Sequence, residues 1–382
     1  MKLGFLVNPI AGMGGSVGLK GTDGELYFLA LQRGATPVAP KRARRFLKKL
    51  SELGFNSTIV AANNVMGCNY LNSFKGSLRY YCVDIPLSNI TSREDTIQVA
   101  KIFMREGVDI IAFVGGDGTA RDIYDAVNSE VPLIGVPAGV KMYSGVFAAS
   151  PEAAALVIKD FEDRSVGLDL VEIADANEEL IALGRLSIRI YGYVKSPREK
   201  ILTIPSKDLS YSSDYGEKEE VAQYFIEEYM RSDTLYLLGP GSTVKAITDL
   251  LGVEKTLLGV DALYGGRLVG RDLGEKEIID LLSKFKRVAI VVTIIGGQGY
   301  IFGRGNQQFT PRVIRRVGKE NIFVISPRSK IYNLRYLFID TGDPKLDIEM
   351  SGYWRVITGF MEEKVILVLP ACCPETFGDI KK

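Results

Sequence analysis

Residues 110–121 read IIAFVGGDGTAR, and no other stretch of the chain restricts the fold as tightly. Ile110 to Val114 form a short, unbroken apolar run, the pattern of a strand covered on both faces within a parallel sheet. Gly115, Gly116 and Gly118 are able to take positive φ and to let a backbone approach closely, and Thr119 is placed to cap a helix over Ala120–Val127. Such a strand, turn and helix put the helix's first amides at the carboxyl edge of a sheet, where they attract an anion such as phosphate. Asp117 is the odd member, because phosphates repel a carboxylate unless it holds a metal or takes a proton from an attacking hydroxyl. The competing reading is a strand-to-helix turn with an Asp in its ordinary turn role.

The 382 residues, 46% of them hydrophobic, are enough for a sizeable core and favour two domains over one. A net charge of +1 gives no drive toward nucleic acid or membrane. The longest apolar runs, Val288–Ile295 and Val365–Leu369, have the length of buried strands. Leu3–Val7 is too short for a secretory signal, so a soluble, cytoplasmic protein is expected. Cys68, Cys82, Cys372 and Cys373 are too few and too scattered for a disulfide framework and contain no CxxC pair, so they read as buried or incidental thiols. There is no His at all, which excludes Ser-His-Asp and Cys-His mechanisms, histidine zinc sites and imidazole relays. Proton transfer falls to a carboxylate, Lys, Tyr, Cys or water.

Strands and helices alternate through the first 150 residues: a strand at Lys2–Val7, a helix at Lys41–Leu53, a strand at Ser57–Val60, a helix at Ser92–Glu106, a strand at Leu133–Val136 and a helix from Pro151. That rhythm argues for a doubly wound α/β domain over residues 1–164 carrying the Gly-Gly-Asp-Gly-Thr loop. Residues 14–40 and 61–88 break the rhythm and read as long loops, often binding loops or lids in compact domains. From 165 to 382 the chain reads as a strand-rich second domain, its last segment expected to pack back on the first. Leu168–Ile173 and Arg185–Val194 alternate, and late strands fall at Val288–Thr293, Ile322–Ile325, Leu337–Ile339, Tyr353–Ile357 and Val365–Leu369.

Asn8, Gly12, Gly14 and Gly15 follow the first strand, so two glycine turns are expected at one sheet edge, embracing one polyphosphate. It is not a Walker A loop, having no Gly-Lys-(Ser/Thr). Near residue 300, Gly296-Gly297-Gln298-Gly299 and Gly303–Gln308 gather flexible backbone and amides that pair with bases or sugar hydroxyls. Arg304, Asn306 and Gln307 are the expected substrate contacts, Arg304 offering a planar fork to phosphate or carboxylate. Asp340 and Asp343 bracket an Asp-Gly turn, for which a structural role is commoner than a metal site. In the basic cluster Lys41, Arg42, Arg44, Arg45, Lys48 and Lys49, Arg42, Arg45 and Lys49 share one helical face while Ala43, Phe46, Leu47 and Leu50 provide the apolar side, most simply an amphipathic surface helix.

The GGDGT turn resembles the signature of the diacylglycerol, sphingosine and NAD kinase and phosphofructokinase superfamily. "LGFLVNPIAGMGG", "GPGSTVKAITDLLG", "TLLGVDALYGGRLVGRDL" and "DTGDPKLDIEMSGYWRVITGF" resemble the ATP-NAD kinase-like family, including its acetoin-catabolism branch. The resemblance implies the two-domain NAD-kinase fold and an ATP- and magnesium-dependent kinase of a small molecule, with NAD phosphorylated at its ribose 2′-hydroxyl to give NADP. It implies Asp117 as base or magnesium ligand, and a homo-oligomer. Gly241, Ser242 and Thr243 resemble the turn that lends an edge to the nucleotide pocket, although Ser242 or Thr243 serves equally well as a helix cap. Two departures keep other acceptors open: "PAGVKMYSGVF" stands where NAD kinases have Asn-x-Gly-x-Leu-Gly-Phe, and Val244-Lys245 replaces Ala-Tyr. Another hydroxylated metabolite, or a nucleotide-binding regulator without catalysis, are the alternatives.

Overall fold

Leu3, Phe5 and Val7 of strand β1 (Lys2–Val7) point to one face of a sheet and Gly4 to the other, and each face is covered by a helix. Phe5 stacks on Phe46 of the helix Ala39–Glu52 at 5.8 Å between ring centroids. Gly4 lies under Phe103 of the helix Arg93–Arg105, where a Cβ would come within 2.8 Å of the ring. The sheet is therefore doubly wound, as the alternating pattern predicts. This computed structural model describes residues 1–19, 22, 24–88, 90–139, 142–176, 188–198, 215–295 and 299–374.

Two units divide the chain: Met1–Met13 with Gly21–Ser206, and Gly14–Lys20 with Lys207–Lys382. The first holds five parallel strands in the order β3-β2-β1-β4-β5. They are β1, β2 (Thr58–Ala62), β3 (Arg79–Val83), β4 (Ile110–Gly115) and β5 (Leu133–Pro137). Chain order reverses at the β1/β4 pair, which makes the carboxyl ends of those two strands the topological switch point where α/β sheets take their ligands.

Strand β3 lies within what reads in sequence as a loop over 61–88. It is a half-exposed edge strand of five residues containing an Arg, too short and polar to show apolar periodicity. The short helix Cys68–Leu71 brings Cys68 beside Cys82 of β3, and the two form a disulfide across 14 residues, correcting the reading of all four cysteines as buried or incidental thiols. Cys372 and Cys373 are not disulfide-bonded, and their sulfurs lie 3.2 Å apart.

The hairpin of β6 (Leu168–Ala176) and β7 (Ile188–Pro197) belongs to the first unit, so the boundary falls beyond the expected residue 164. Val171, Ile173 and Val194 face inward while Leu170 is exposed, and Gly192 packs directly on the Tyr124 ring of the helix Asp117–Val127. Asn177 and Glu178 lie outside the described residues.

The second unit is built on a nine-stranded mixed sheet whose centre runs parallel: β8 (Leu235–Leu238), β11 (Val288–Thr293), β13 (Ile322–Ile325) and β15 (Gly352–Gly359). The hairpin β9 (Asp261–Tyr264) and β10 (Arg267–Gly270) extends one margin, and β16 (Glu362–Pro370), β14 (Tyr336–Ile339) and β12 (Tyr300–Phe302) the other. β16 is an interior strand between β15 and β14. Among the described residues no helix is long and apolar enough to cross a membrane.

Candidate active site

The GGDGT segment forms the expected turn from β4 into a helix, with two corrections in its local chemistry. The helix starts at Asp117 with Gly116 in the cap position, so Thr119 lies in its first turn and does not cap it. None of Gly115, Gly116 and Gly118 has positive φ. Gly115 is glycine because of space: a Cβ would lie 2.6 Å from both Cβ and Oγ1 of Thr119. Among the described residues a Cβ at Gly118 would meet nothing within 4 Å, which leaves that side of the helix start open to an approaching group. Helix starts leave their first N–H groups without intrahelical partners, which suits an anion there.

Asn8 joins the first turn to the second. Its Nδ2 donates to Thr119 Oγ1 at 3.0 Å, its Oδ1 accepts from the Ile10 amide at 3.3 Å, and its own amide donates to Val114 O at 2.9 Å. Gly12 has φ +76°, and a Cβ there would sit 1.7 Å from Ala138 O, just beyond β5. Ala138 and Gly139 in turn donate their amides to Gly115 O at 3.0 and 3.1 Å. Three carboxyl-end segments thus converge over the switch point. Gly14 and Gly15, expected on the same turn, belong to the second unit, where a Cβ on Gly15 would lie 3.0 Å from Cβ of Gln307.

Asp117 is buried and accepts three hydrogen bonds. Oδ2 takes the Tyr143 amide at 2.7 Å, and Oδ1 takes the Ser144 amide at 2.9 Å and the Ser144 hydroxyl at 2.7 Å. Burial raises its pKa, the Ser144 and Tyr143 donors oppose it, and the nearby Asp175 adds repulsion; burial wins, leaving the carboxyl at about 7. One turn along, Arg121 lies 3.4 Å from Asp175 and stacks over Tyr191 at 5.3 Å. Asp122, pushed by burial to about 6, pairs with Arg93 at 2.9 Å.

Sequence reasoning missed Tyr143, Ser144, Arg121 and Asp175. The first two lie in PAGVKMYSGVF, a segment whose departure from the NAD-kinase pattern was its only signal, and Asp175 sits in a strand with no signal at all.

Three donor hydrogens point at the Asp117 oxygens, and among the described residues no group of three or more His, Cys, Asp or Glu side chains is arranged to hold a metal. A magnesium carried by the phosphates of a nucleotide keeps several waters and needs no such cluster.

The other predicted contacts lie in the second unit. Gly241, at φ +116°, caps the helix Ser242–Leu250, so neither Ser242 nor Thr243 caps it. Thr243 is buried and its Oγ1 accepts from Lys330 Nζ at 3.4 Å, while Lys245 pairs with Asp249 one turn on. Arg304 is 2% exposed, stacks over Tyr300 at 4.6 Å and stands 4.0 Å from Asp340. Asn306 spends both ends of its amide on the loop's backbone, accepting from Gly303 N at 3.0 Å and donating to Ile301 O at 2.8 Å. Gln307 donates to Gly303 O at 3.2 Å. Arg304 and Asn306 are thus both buried, with Asn306 held by the backbone of its own loop. Gly296, Gly297 and Gln298 lie outside the described residues. Asp343 caps the helix Pro344–Met350, the turn role expected of it. Among the basic residues of the helix Ala39–Glu52, Arg45 forms a forked pair with Glu152 at 2.7 and 2.8 Å, and Arg42 is buried, so that face is less solvated than its pattern suggests.

A doubly wound unit with an aspartate-bearing turn at its switch point, followed by a strand-rich mixed-sheet unit, defines a two-domain kinase of the NAD-kinase type. Residues 3–166 match the model of the ATP-NAD kinase N-terminal domain and residues 231–368 that of the ATP-NAD kinase C-terminal domain. Together they cover most of the chain, which belongs to the ATP-NAD kinase family. No curated protein and no solved structure matched it.

Proposed function

We propose that this protein transfers the γ-phosphate of ATP to a hydroxyl of a small molecule, NAD being the first acceptor to test and NADP its product. One observation carries the proposal: a buried aspartate poised near pH 7 at the open start of a helix on the switch-point edge. A pure phosphate seat has no use for a carboxylate, whereas a base for an attacking hydroxyl needs one that is ionised yet still takes a proton, which a pKa near the working pH provides. Asn8, Gly12, Gly115, Gly116, Gly118 and Thr119 shape the phosphate seat, the last four through the helix start and Asn8 by locking the β1 turn onto Thr119. Magnesium enters with the nucleotide and neutralises the phosphates. Phosphoryl transfer asks for positioning and charge balance more than covalent chemistry, so a chain with no His is adequate to it.

A second acceptor class has its own support. Where NAD kinases carry Asn-x-Gly-x-Leu-Gly-Phe, this chain places Tyr143 and Ser144 against Asp117, so the wall beside the base differs, and a different hydroxylated metabolite is the second reading.

The test is purified protein with ATP, magnesium and a panel of hydroxylated metabolites that includes NAD, assayed for ADP and for phosphorylated product. Asp117→Asn is expected to reduce turnover by about 10²–10⁴-fold. Undiminished turnover in that variant would refute the role given to Asp117, and tight ATP binding with no transfer to any acceptor would favour a regulatory protein.

A further inference from the structure

Ser144 is 1% exposed and is gripped from two sides. Its amide and hydroxyl both donate to Asp117 Oδ1, and its Oγ accepts the Ala174 amide at 3.0 Å, with Ala174 O 2.9 Å away. The hydroxyl has a single proton, and an ionised Asp117 draws it away from the Ala174 carbonyl. Oδ1 thereby receives two donors and Oδ2 one. Since a carboxylate oxygen accepts about two hydrogen bonds, one accepting direction remains, on Oδ2.

We propose that Ser144 is a positioning residue for Asp117: clamped by Ala174, it ties down Oδ1 so that Oδ2 alone meets the acceptor hydroxyl. This rests on the reading of Asp117 as the base. The acceptor's oxygen attacks the γ-phosphorus as the bond from that phosphorus to the β,γ-bridging oxygen breaks to release ADP, and the acceptor's O–H proton moves to Oδ2. Oδ1 keeps the same two donors before and after the transfer.

The same strand sets the charge balance. Ala174 holds Ser144, while its neighbour Asp175 faces Asp117 and repels its charge. Among the described residues, the other charged groups around this site are Arg121, Asp122 and Asp125 on the helix of Asp117 itself, Arg93 on the adjacent helix paired with Asp122 and Asp125, and Glu172 on β6, beside Gly145. Ser144 favours the ionised carboxyl and Asp175 disfavours it, so their removal has opposite signs.

The experiment is an infrared pH titration of the carboxylic-acid stretch, with Asp117→Asn as the blank, on folded wild-type protein and on the Ser144→Ala and Asp175→Asn variants. The wild type is expected to show a band with a midpoint near 7 that Asp117→Asn lacks. Ser144→Ala should move that midpoint up by about one pH unit, and Asp175→Asn should move it down. If Ser144→Ala does not fold, Ser144→Cys, a weaker donor of similar size, should give a smaller upward move. An unmoved midpoint in the Ser144 variant, or shifts of the same sign in both, would overturn the proposal. Turnover surviving in Asp117→Asn would defeat the base reading alone, because the infrared midpoints still report how Ser144 holds the carboxyl.

Discussion

The Asn8 side-chain amide donates to the Thr119 hydroxyl at 3.0 Å, a link between residues 111 positions apart that fastens the turn after β1 to the first turn of the Asp117 helix. Asn8 is spent on structure at both ends of its amide, so its influence on a phosphate runs through the shape of the seat. Asn8→Ala and Thr119→Val are each expected to cost about 1 kcal/mol of stability. The double variant should cost scarcely more than either single one, because both remove the same bond. Additive losses in chemical denaturation would mean that the link contributes nothing.

Two glycines of the GGDGT turn should respond in opposite ways. Gly115→Ala forces a methyl to 2.6 Å from Thr119 and is expected to destabilise the fold by about 1–3 kcal/mol. Gly118→Ala meets nothing within 4 Å, so the fold should tolerate it. If phosphates occupy that opening, the added methyl weakens ATP binding, measured by calorimetry, while the melting temperature stays close to wild type. Unchanged affinity in Gly118→Ala would move the phosphate seat elsewhere.

Stability and activity should move in opposite directions between pH 5 and 7.5. Asp117 is raised from its ordinary 3.8 to about 7 in the folded chain, so across that window the folded state keeps a proton that the unfolded state has released. Its contribution is fully present below about pH 4 and is lost as pH rises through about 7, a change on the order of 4 kcal/mol. Asp122, raised to about 6, acts in the same direction. The base works only when ionised, so kcat/KM should climb through about pH 7 as stability falls. Denaturation and rate profiles on one buffer series check both, and a kcat/KM flat across the window would remove Asp117 from the rate law.

How far the sequence disclosed this site depended on whether a residue acts through local pattern or through distant packing. The β4 strand, the glycine turn and Asp117 were legible because twelve consecutive residues encode them, and the β1 turn because it follows an equally plain strand. Ser144 and Asp175 were not, since they reach Asp117 from segments 27 and 58 residues along the chain and neither sits in a periodic pattern. Edge strand β3 escaped for a related reason: its half-exposed face gives no apolar rhythm. Glycines misled in their own way, because Gly115 and Gly12 both face close neighbours yet only Gly12 has positive φ.

The Cys68–Cys82 disulfide closes a short loop from the helix Cys68–Leu71 to edge strand β3. Crosslinks of this loop length stabilise by about 3 kcal/mol, mainly by restricting the unfolded chain. Cys68→Ser with Cys82→Ser should lower unfolding free energy by about that amount, and a reductant should do the same to the wild type. A thiol assay on denatured, unreduced protein should count two thiols, from Cys372 and Cys373. Four thiols with unchanged stability under reductant would show that the pair is not bonded in solution.

Arg304 separates a substrate contact from an interior support. A residue that reads a ligand shows its loss chiefly in KM, with the fold intact. Arg304 is instead buried, stacked on Tyr300 and 4.0 Å from a buried Asp340, so truncation removes a stacked cation from beside a buried carboxylate. Breaking a buried pair from one side costs about 3–5 kcal/mol. Arg304→Ala is therefore expected to lower the melting temperature sharply, and Arg304→Ala with Asp340→Asn to recover much of the loss, because the double variant leaves no uncompensated charge. Acceptor KM, measured on whatever fraction remains folded, should stay near wild type. A stable Arg304→Ala protein with a large rise in acceptor KM would return this residue to the substrate site and remove Asp340 as its reason for being buried.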